Sequence, residues 1–115
     1  MDSNHYILKD KKVIVVDLMT WADWVEKEKG SRIVKQETLP NGKWVSTVFL
    51  GLNHNYGEGL PLLFETMVFP SAKGLGAELD VDRYSTYEEA EKGHSVLVQK
   101  WSLKRKAIKG RRIIK

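Results

Sequence analysis

The 115-residue chain has no cysteine, three prolines and no long apolar run, and each shortage narrows what it can be. Without cysteine there are no disulfides, thiolate zinc sites or cysteine nucleophiles; a reducing compartment fits, although exported proteins also lack cysteine. The longest uninterrupted apolar run, Val13 to Val16, is four residues, against the roughly 20 that a membrane-spanning helix needs. The first residues lack the basic-then-apolar layout of a secretion signal, so a cytoplasmic protein with no membrane partner is expected. Acidic residues are missing from one end. Eight of the nineteen positive charges stand in residues 100–115, which hold no acid, so the first 99 residues carry eleven against all fifteen acids, a balance of −4. The net charge of +4 therefore hides a mildly acidic body with a basic end.

What is present suits one globular domain. Apolar residues make up 42% and charged residues 30% of the chain, ordinary proportions for a folded protein of this size. The expected division is a domain over 1–101 and a basic extension over 102–115, and the fold class is α+β: a mostly antiparallel sheet of four to five strands covered by two helices.

His5–Leu8 and Val13–Val16 flank a turn and can pair as a hairpin; the valine-rich run suggests a strand buried on both faces or at a crowded edge. Asp17 is expected to cap a helix running to about Lys29, with Leu18, Trp21, Ala22 and Val25 as its apolar stripe and Trp24 flanking it. Ser31–Leu39 reads as a strand. Asn41-Gly42 suggests a two-residue type I′ loop, which would set Leu39 opposite Trp44 and Glu37 opposite Ser46. A one-residue slip there would swap the faces. Leu62–Phe69 should return antiparallel to Trp44–Leu52, with Leu63, Glu65, Met67 and Phe69 on one face. Residues 70–82 read as a surface loop, with Arg83-Tyr84-Ser85 briefly extended. Thr86 and Glu89 form a capping-box pattern ahead of a helix whose apolar face is Tyr87, Ala90, His94, Leu97 and Trp101. Gly93 weakens that helix but allows close approach to the sheet.

The first candidate site combines Asn53, His54, Asn55, Tyr56 and Glu58 in the loop after the Trp44 strand with Glu65 and His94. Glu65 falls on a largely apolar face, where an ionised carboxylate needs a hydrogen bond, a cation or a proton. If the last helix covers that face, His94 and Glu65 meet near His54, a weak candidate set for a divalent metal or for acid–base work. The bland alternative is a core histidine satisfied by hydrogen bonds. No His-x-x-x-His or His-Glu-x-x-His spacing is present. Gly51, Gly57 and Gly59 match neither the Walker pattern nor the dinucleotide fingerprint, so no cofactor is expected. A second candidate is the run Lys104, Arg105, Lys106, Lys109, Arg111 and Arg112, which suits phosphates and salt-dependent nucleic-acid binding. It equally suits a solvated helix end.

Val45-Ser46-Thr47-Val48-Phe49-Leu50-Gly51-Leu52-Asn53-His54-Asn55-Tyr56, with Leu63-Phe64-Glu65-Thr66-Met67-Val68-Phe69 and Tyr84-Ser85-Thr86-Tyr87-Glu88-Glu89-Ala90-Glu91-Lys92-Gly93-His94, resembles a family of small bacteriophage and prophage proteins. The likeness spans roughly residues 5–98 and leaves out the basic end. The relatives tend to read Asp-His-Asn-Phe where this chain has Asn53-His54-Asn55-Tyr56, which puts any metal or base role of that first side chain in doubt here. The resemblance implies a phage accessory protein without naming a reaction. The expected function is a non-enzymatic binding protein for a host factor or a small, nucleotide-like ligand, with interference in host defence or metabolism as one form. The alternatives are a metal-dependent hydrolase or nuclease using His54, Glu65 and His94, and a nucleic-acid-binding protein acting through the basic end. Both faces of the sheet want cover, so a homo-oligomer is allowed.

Overall fold

A computed structural model describes residues 4–112, the side chains of Lys73 and of 103–112 excepted. The elements are β1 (His5–Lys9), β2 (Lys12–Val16), α1 (Leu18–Lys27), β3 (Ile33–Thr38), β4 (Trp44–Phe49), β5 (Phe64–Phe69), β6 (Asp80–Tyr84) and α2 (Tyr87–Arg112). The expected α+β class holds: β3 to β6 form a four-stranded antiparallel sheet in chain order, and β1–β2 a separate two-stranded one. Among the described residues no helix is long and apolar enough to cross a membrane.

The N-terminal hairpin forms as expected, through a tight loop with positive φ at Asp10 and Lys11. It joins the rest through a Tyr6 N–H bond to the Gly51 carbonyl at 2.9 Å and a bridge between His5 and Leu52. Gly51 has φ +81°, and a Cβ there would lie 3.0 Å from Trp21 Nε1, so glycine answers both the backbone and the space. The valine run is not buried as expected. Ile14 is 38% and Val15 57% exposed, because this sheet has only two strands and rests on the core mainly through Leu8, Tyr6 and Val13.

Asp17 caps α1, accepting the Thr20 N–H at 2.8 Å. The helix ends at Lys27 rather than Lys29; the Glu28 N–H closes on the Trp24 carbonyl and a 3₁₀ turn covers Lys29–Arg32. The expected stripe needs correcting too. No α1 residue is buried, and Trp24, placed at the margin by sequence, is the side chain that meets Phe49 edge-on at 5.8 Å.

The β3–β4 turn departs from the expected two-residue loop. Thr38 pairs with Trp44, Glu37 with Val45 and Gln36 with Ser46, one residue off the expected register. The cause is Pro40. A two-residue loop needs residue 40 to donate its N–H to residue 43, and proline has none. Leu39 donates to the Lys43 carbonyl instead, at 2.7 Å, and Gly42 closes a three-residue loop with φ +91°, the type I turn plus left-handed glycine that such loops use. An irregularity between Ile33 and Lys35 then shifts the register by a further residue, so that Ile33 pairs with Val48. Glu37 consequently lies on the same face as Val45.

β4 and β5 pair with Val45 opposite Val68, Thr47 opposite Thr66 and Phe49 opposite Phe64, and all six side chains are at most 1% exposed. α2 covers this face. β6 begins at Asp80, earlier than the extended piece expected at Arg83, and adds the fourth strand. The capping box at Thr86 is present: the Thr86 hydroxyl accepts the Glu89 N–H at 3.1 Å, and the Glu89 carboxylate accepts the N–H groups of Ser85 and Thr86. Ala90, His94 and Leu97 of α2 are buried and Tyr87 and Trp101 partly so, as the periodicity indicates. Asp80 ties the far end, accepting bonds from Lys100 Nζ and Trp101 Nε1, both at 2.9 Å. The Lys100 bond, then the Trp101 bond, hold its carboxyl below the ordinary value. α2 stays helical to Arg112; the side chains of Lys104, Arg105, Lys106, Lys109, Arg111 and Arg112 lie outside the described ones.

Candidate functional site

The buried face is apolar at both ends and polar in the middle. One cluster gathers Leu8, Phe49, Leu63, Phe64, Tyr84 and Ala90; the other holds Leu39, Val45, Val68 and Leu97. Strand alternation puts Thr47 and Thr66 between them, and α2 lays His94, between Ala90 and Leu97, over that pair. His94 Nδ1 lies 2.7 Å from Thr47 Oγ1, Thr47 Oγ1 lies 2.5 Å from Thr66 Oγ1, and the Tyr84 hydroxyl donates to Thr66 Oγ1 at 3.1 Å. On the other side of the ring, Nε2 meets Glu37 Oε2 at 2.6 Å. Lys35 Nζ stands 3.8 Å from the same carboxylate oxygen.

The distances along this chain of bonds fit the following proton order. Tyr84 donates to Thr66, Thr66 to Thr47 and Thr47 to Nδ1, while Nε2–H donates to Glu37, so each threonine hydroxyl donates once and accepts once. Burial pushes the Tyr84 phenol up, and the Thr66 bond offsets part of that rise. Hydroxyl, imidazole and carboxylate follow the connectivity of a hydrolase triad, but here the hydroxyl is the sealed end. Thr47 is 0% and His94 1% exposed, whereas the Glu37 side chain is 34% exposed. A substrate carbonyl has no way to Thr47, so the arrangement is a polar layer that fixes how α2 sits on the sheet. A cleft of about 190 Å³ reaches His94 between Val34, Lys35, Glu91 and Ser95, but both ring nitrogens are already engaged.

The expected trio does not assemble. Glu65 pairs with Arg83 and Val48, on the face opposite Thr66 and His94. Its side chain is only 11% exposed and its carboxylate is met by Arg83 Nε at 3.0 Å; of the three remedies for a buried acid, the protein uses a cation. His54 is in the loop, its ring 6.3 Å from that of the exposed Tyr56. Among the described residues no three His, Asp or Glu side chains are grouped to hold a metal.

The polar loop residues close the loop on itself. Asn53 Oδ1 accepts the N–H groups of Asn55 and Leu62, at 2.8 and 3.0 Å, which an aspartate oxygen would do equally well. Asn55 Nδ2 donates to the carbonyls of Glu58 and Leu60, and its Oδ1 accepts the Gly57 N–H. These are turn-forming roles. Sequence reasoning named His94 but missed its partners Glu37, Thr47, Thr66 and Tyr84. The one signal for Glu37 was Pro40, whose missing N–H shifts the strand by a residue.

No family model, curated protein or solved structure matches the chain.

Proposed function

We propose that the protein is a non-enzymatic binding protein whose partner is another polypeptide, docked where β2 runs into α1. One observation carries this reading. Ile14, Val15, Leu18 and Met19, four large apolar side chains within six residues, are 38%, 57%, 55% and 76% exposed. Successive strand residues point to opposite faces, so Leu18 and Met19 with one of Ile14 and Val15 can form a contiguous exposed apolar surface, the kind that marks an interaction site. The Asp17 cap between the two pairs holds the corner in shape before a partner arrives, which lowers the ordering cost of binding. The resemblance to phage accessory proteins makes a host factor the natural partner. The sealed position of Thr47 speaks for binding over hydrolysis.

A photo-crosslinking residue placed at Met19 tests this in bacterial cells, with one at Val96, 63% exposed on α2, as the control. The expected result is a discrete crosslinked protein from position 19 only. Leu18→Ser with Met19→Glu should abolish it while leaving stability within about 0.5 kcal/mol, as surface substitutions do. Equal labelling at both positions, or none at either, refutes the reading; a crosslink to a second copy of this chain redirects it to self-association.

A second reading has its own support. Because α2 continues helical past Trp101 to Arg112, the six basic residues from Lys104 onward belong to one helical segment suited to phosphate contacts. Lys104, Arg105 and Lys106 changed together to Gln should weaken duplex-DNA binding and flatten its salt dependence; unchanged affinity removes this reading.

A further inference from the structure

The 3₁₀ turn Lys29–Arg32 leaves a cleft of about 360 Å³ against the ends of β3 and β4, lined by Lys29, Arg32, Ile33, Val48, Phe49 and Leu50. Its charged lining is two cations and no acid, a local exception in a body whose first 99 residues carry an excess of acid. Arg32 Nε is buried and meets no acceptor. The nearest acid in sequence, Glu28, accepts from Ser31 Oγ at 3.0 Å. Trp21 Nε1 is a second buried donor without an acceptor, and it lies beside Gly51, the residue following Leu50. Buried donors in folded proteins are almost always matched. Here two unmatched ones border the same Phe49–Gly51 segment, next to a lysine.

We infer that this cleft binds a small organic anion, with its phosphate or carboxylate on Arg32 and Lys29 and its apolar body against Ile33, Val48 and Leu50. A guanidinium presents several N–H groups in a planar fork that matches either oxyanion, and such charge-assisted bonds are the strong ones. The arginine's long stem lets the guanidinium turn toward an incoming anion, so the ligand supplies the acceptor that the fold withholds. The volume is at the low end of the roughly 300–1,000 Å³ of ligand pockets, which suits a molecule with one charged group and one ring. This site shares no residue with the β2–α1 corner, so the two proposals stand or fall separately.

The test uses the full chain, labelled for amide NMR and titrated with phenyl phosphate and with benzoate. Inorganic phosphate and benzyl alcohol serve as the charged and apolar halves alone. Saturable shifts centred on residues 29–33 and 48–51 are expected. Each half alone should bind about ten-fold more weakly or worse, and Arg32→Met or Lys29→Met should weaken binding of the whole anion about ten-fold. Arg32→Met should leave the melting temperature of the unliganded protein unchanged or raised, since it removes a buried donor that nothing meets. The proposal is overturned if neither probe gives saturable shifts, or if the shifts centre on the basic segment 104–112. It is equally overturned if Arg32→Met binds as the parent does, or if that change lowers the melting temperature without ligand, which would make the arginine structural.

Discussion

Replacing Gly93 with alanine should destabilise the protein, although helix propensity alone says the opposite. In the interior of a helix alanine is favoured over glycine by about 1 kcal/mol. A Cβ at position 93, however, would meet Cε1, Cζ and Oη of Tyr84, about 1 Å or more inside the roughly 3.5 Å at which carbons touch. The ring has little freedom to yield: Tyr84 is 9% exposed and its hydroxyl is bonded to Thr66. Either α2 lifts from the sheet or the ring leaves its seat. Overpacking of this kind costs about 1–3 kcal/mol, and loss of the Tyr84–Thr66 bond adds about 0.5–1.5 kcal/mol. Set against the propensity gain, the expected net loss is about 0.5–3.5 kcal/mol, a fall of roughly 2–15 °C in melting temperature for a domain of this size. Thermal and urea unfolding followed by circular dichroism would measure it. The background Tyr84→Leu, which lacks all three clashing atoms, should reverse the sign, so that Gly93→Ala there stabilises by up to about 1 kcal/mol. A parent-background Gly93→Ala protein that melts at or above the parent would falsify the close-approach argument.

Other outcomes follow from the same contacts. Thr47→Val keeps the shape of the side chain but strands His94 Nδ1 in the core, so a loss of about 1–3 kcal/mol is expected in urea unfolding; no loss would mean that the polar layer contributes nothing. Asp80 has a carboxyl pKa held below its ordinary 3.8 by Lys100 and then Trp101. Its contribution is therefore full above the unfolded value and fades as pH falls through the lower folded one. Asp80→Asn should flatten the acid limb of the stability curve below about pH 4, and an unchanged limb would count against the tie. Tyr84 works in the other direction. Its phenol is raised above 10.0 by burial, so its contribution is complete below that pH and lost as pH rises through the folded value, which ultraviolet difference absorbance would detect. Gly42→Ala should cost about 1–2 kcal/mol through its left-handed backbone alone, since nothing lies within 4 Å of its missing Cβ; a neutral result would contradict the three-residue turn.

Much of the scaffold was legible in the chain because it is set by local chemistry. Asp17 and Thr86 cap helices because their side-chain oxygens reach first-turn N–H groups whatever lies around them. The Ala90–His94–Leu97 face follows from the helical period, and the parity of β5 from strand alternation. The site was less legible. Glu65 and His94 are each in buried positions, as their patterns say, yet on opposite sides of one sheet. Alternation sorts residues into two sets without saying which set a helix will cover, and both faces of β5 carry enough apolar surface to accept one. Packing α2 on the Phe64–Thr66–Val68 side settled that, and Gly93 let the helix come close enough for His94 to reach Thr47. The identity of the histidine's carboxylate partner was half local. Pro40, by lacking an N–H, forces the extra turn residue that carries Glu37 to the helix side, but only the assembled sheet brings residues 37 and 94 to hydrogen-bonding distance. Sequence determined which side chains are inward and where helices begin. Tertiary structure decided which inward side chains meet, because that depends on layer order and register, and a single backbone donor shifts the register by one.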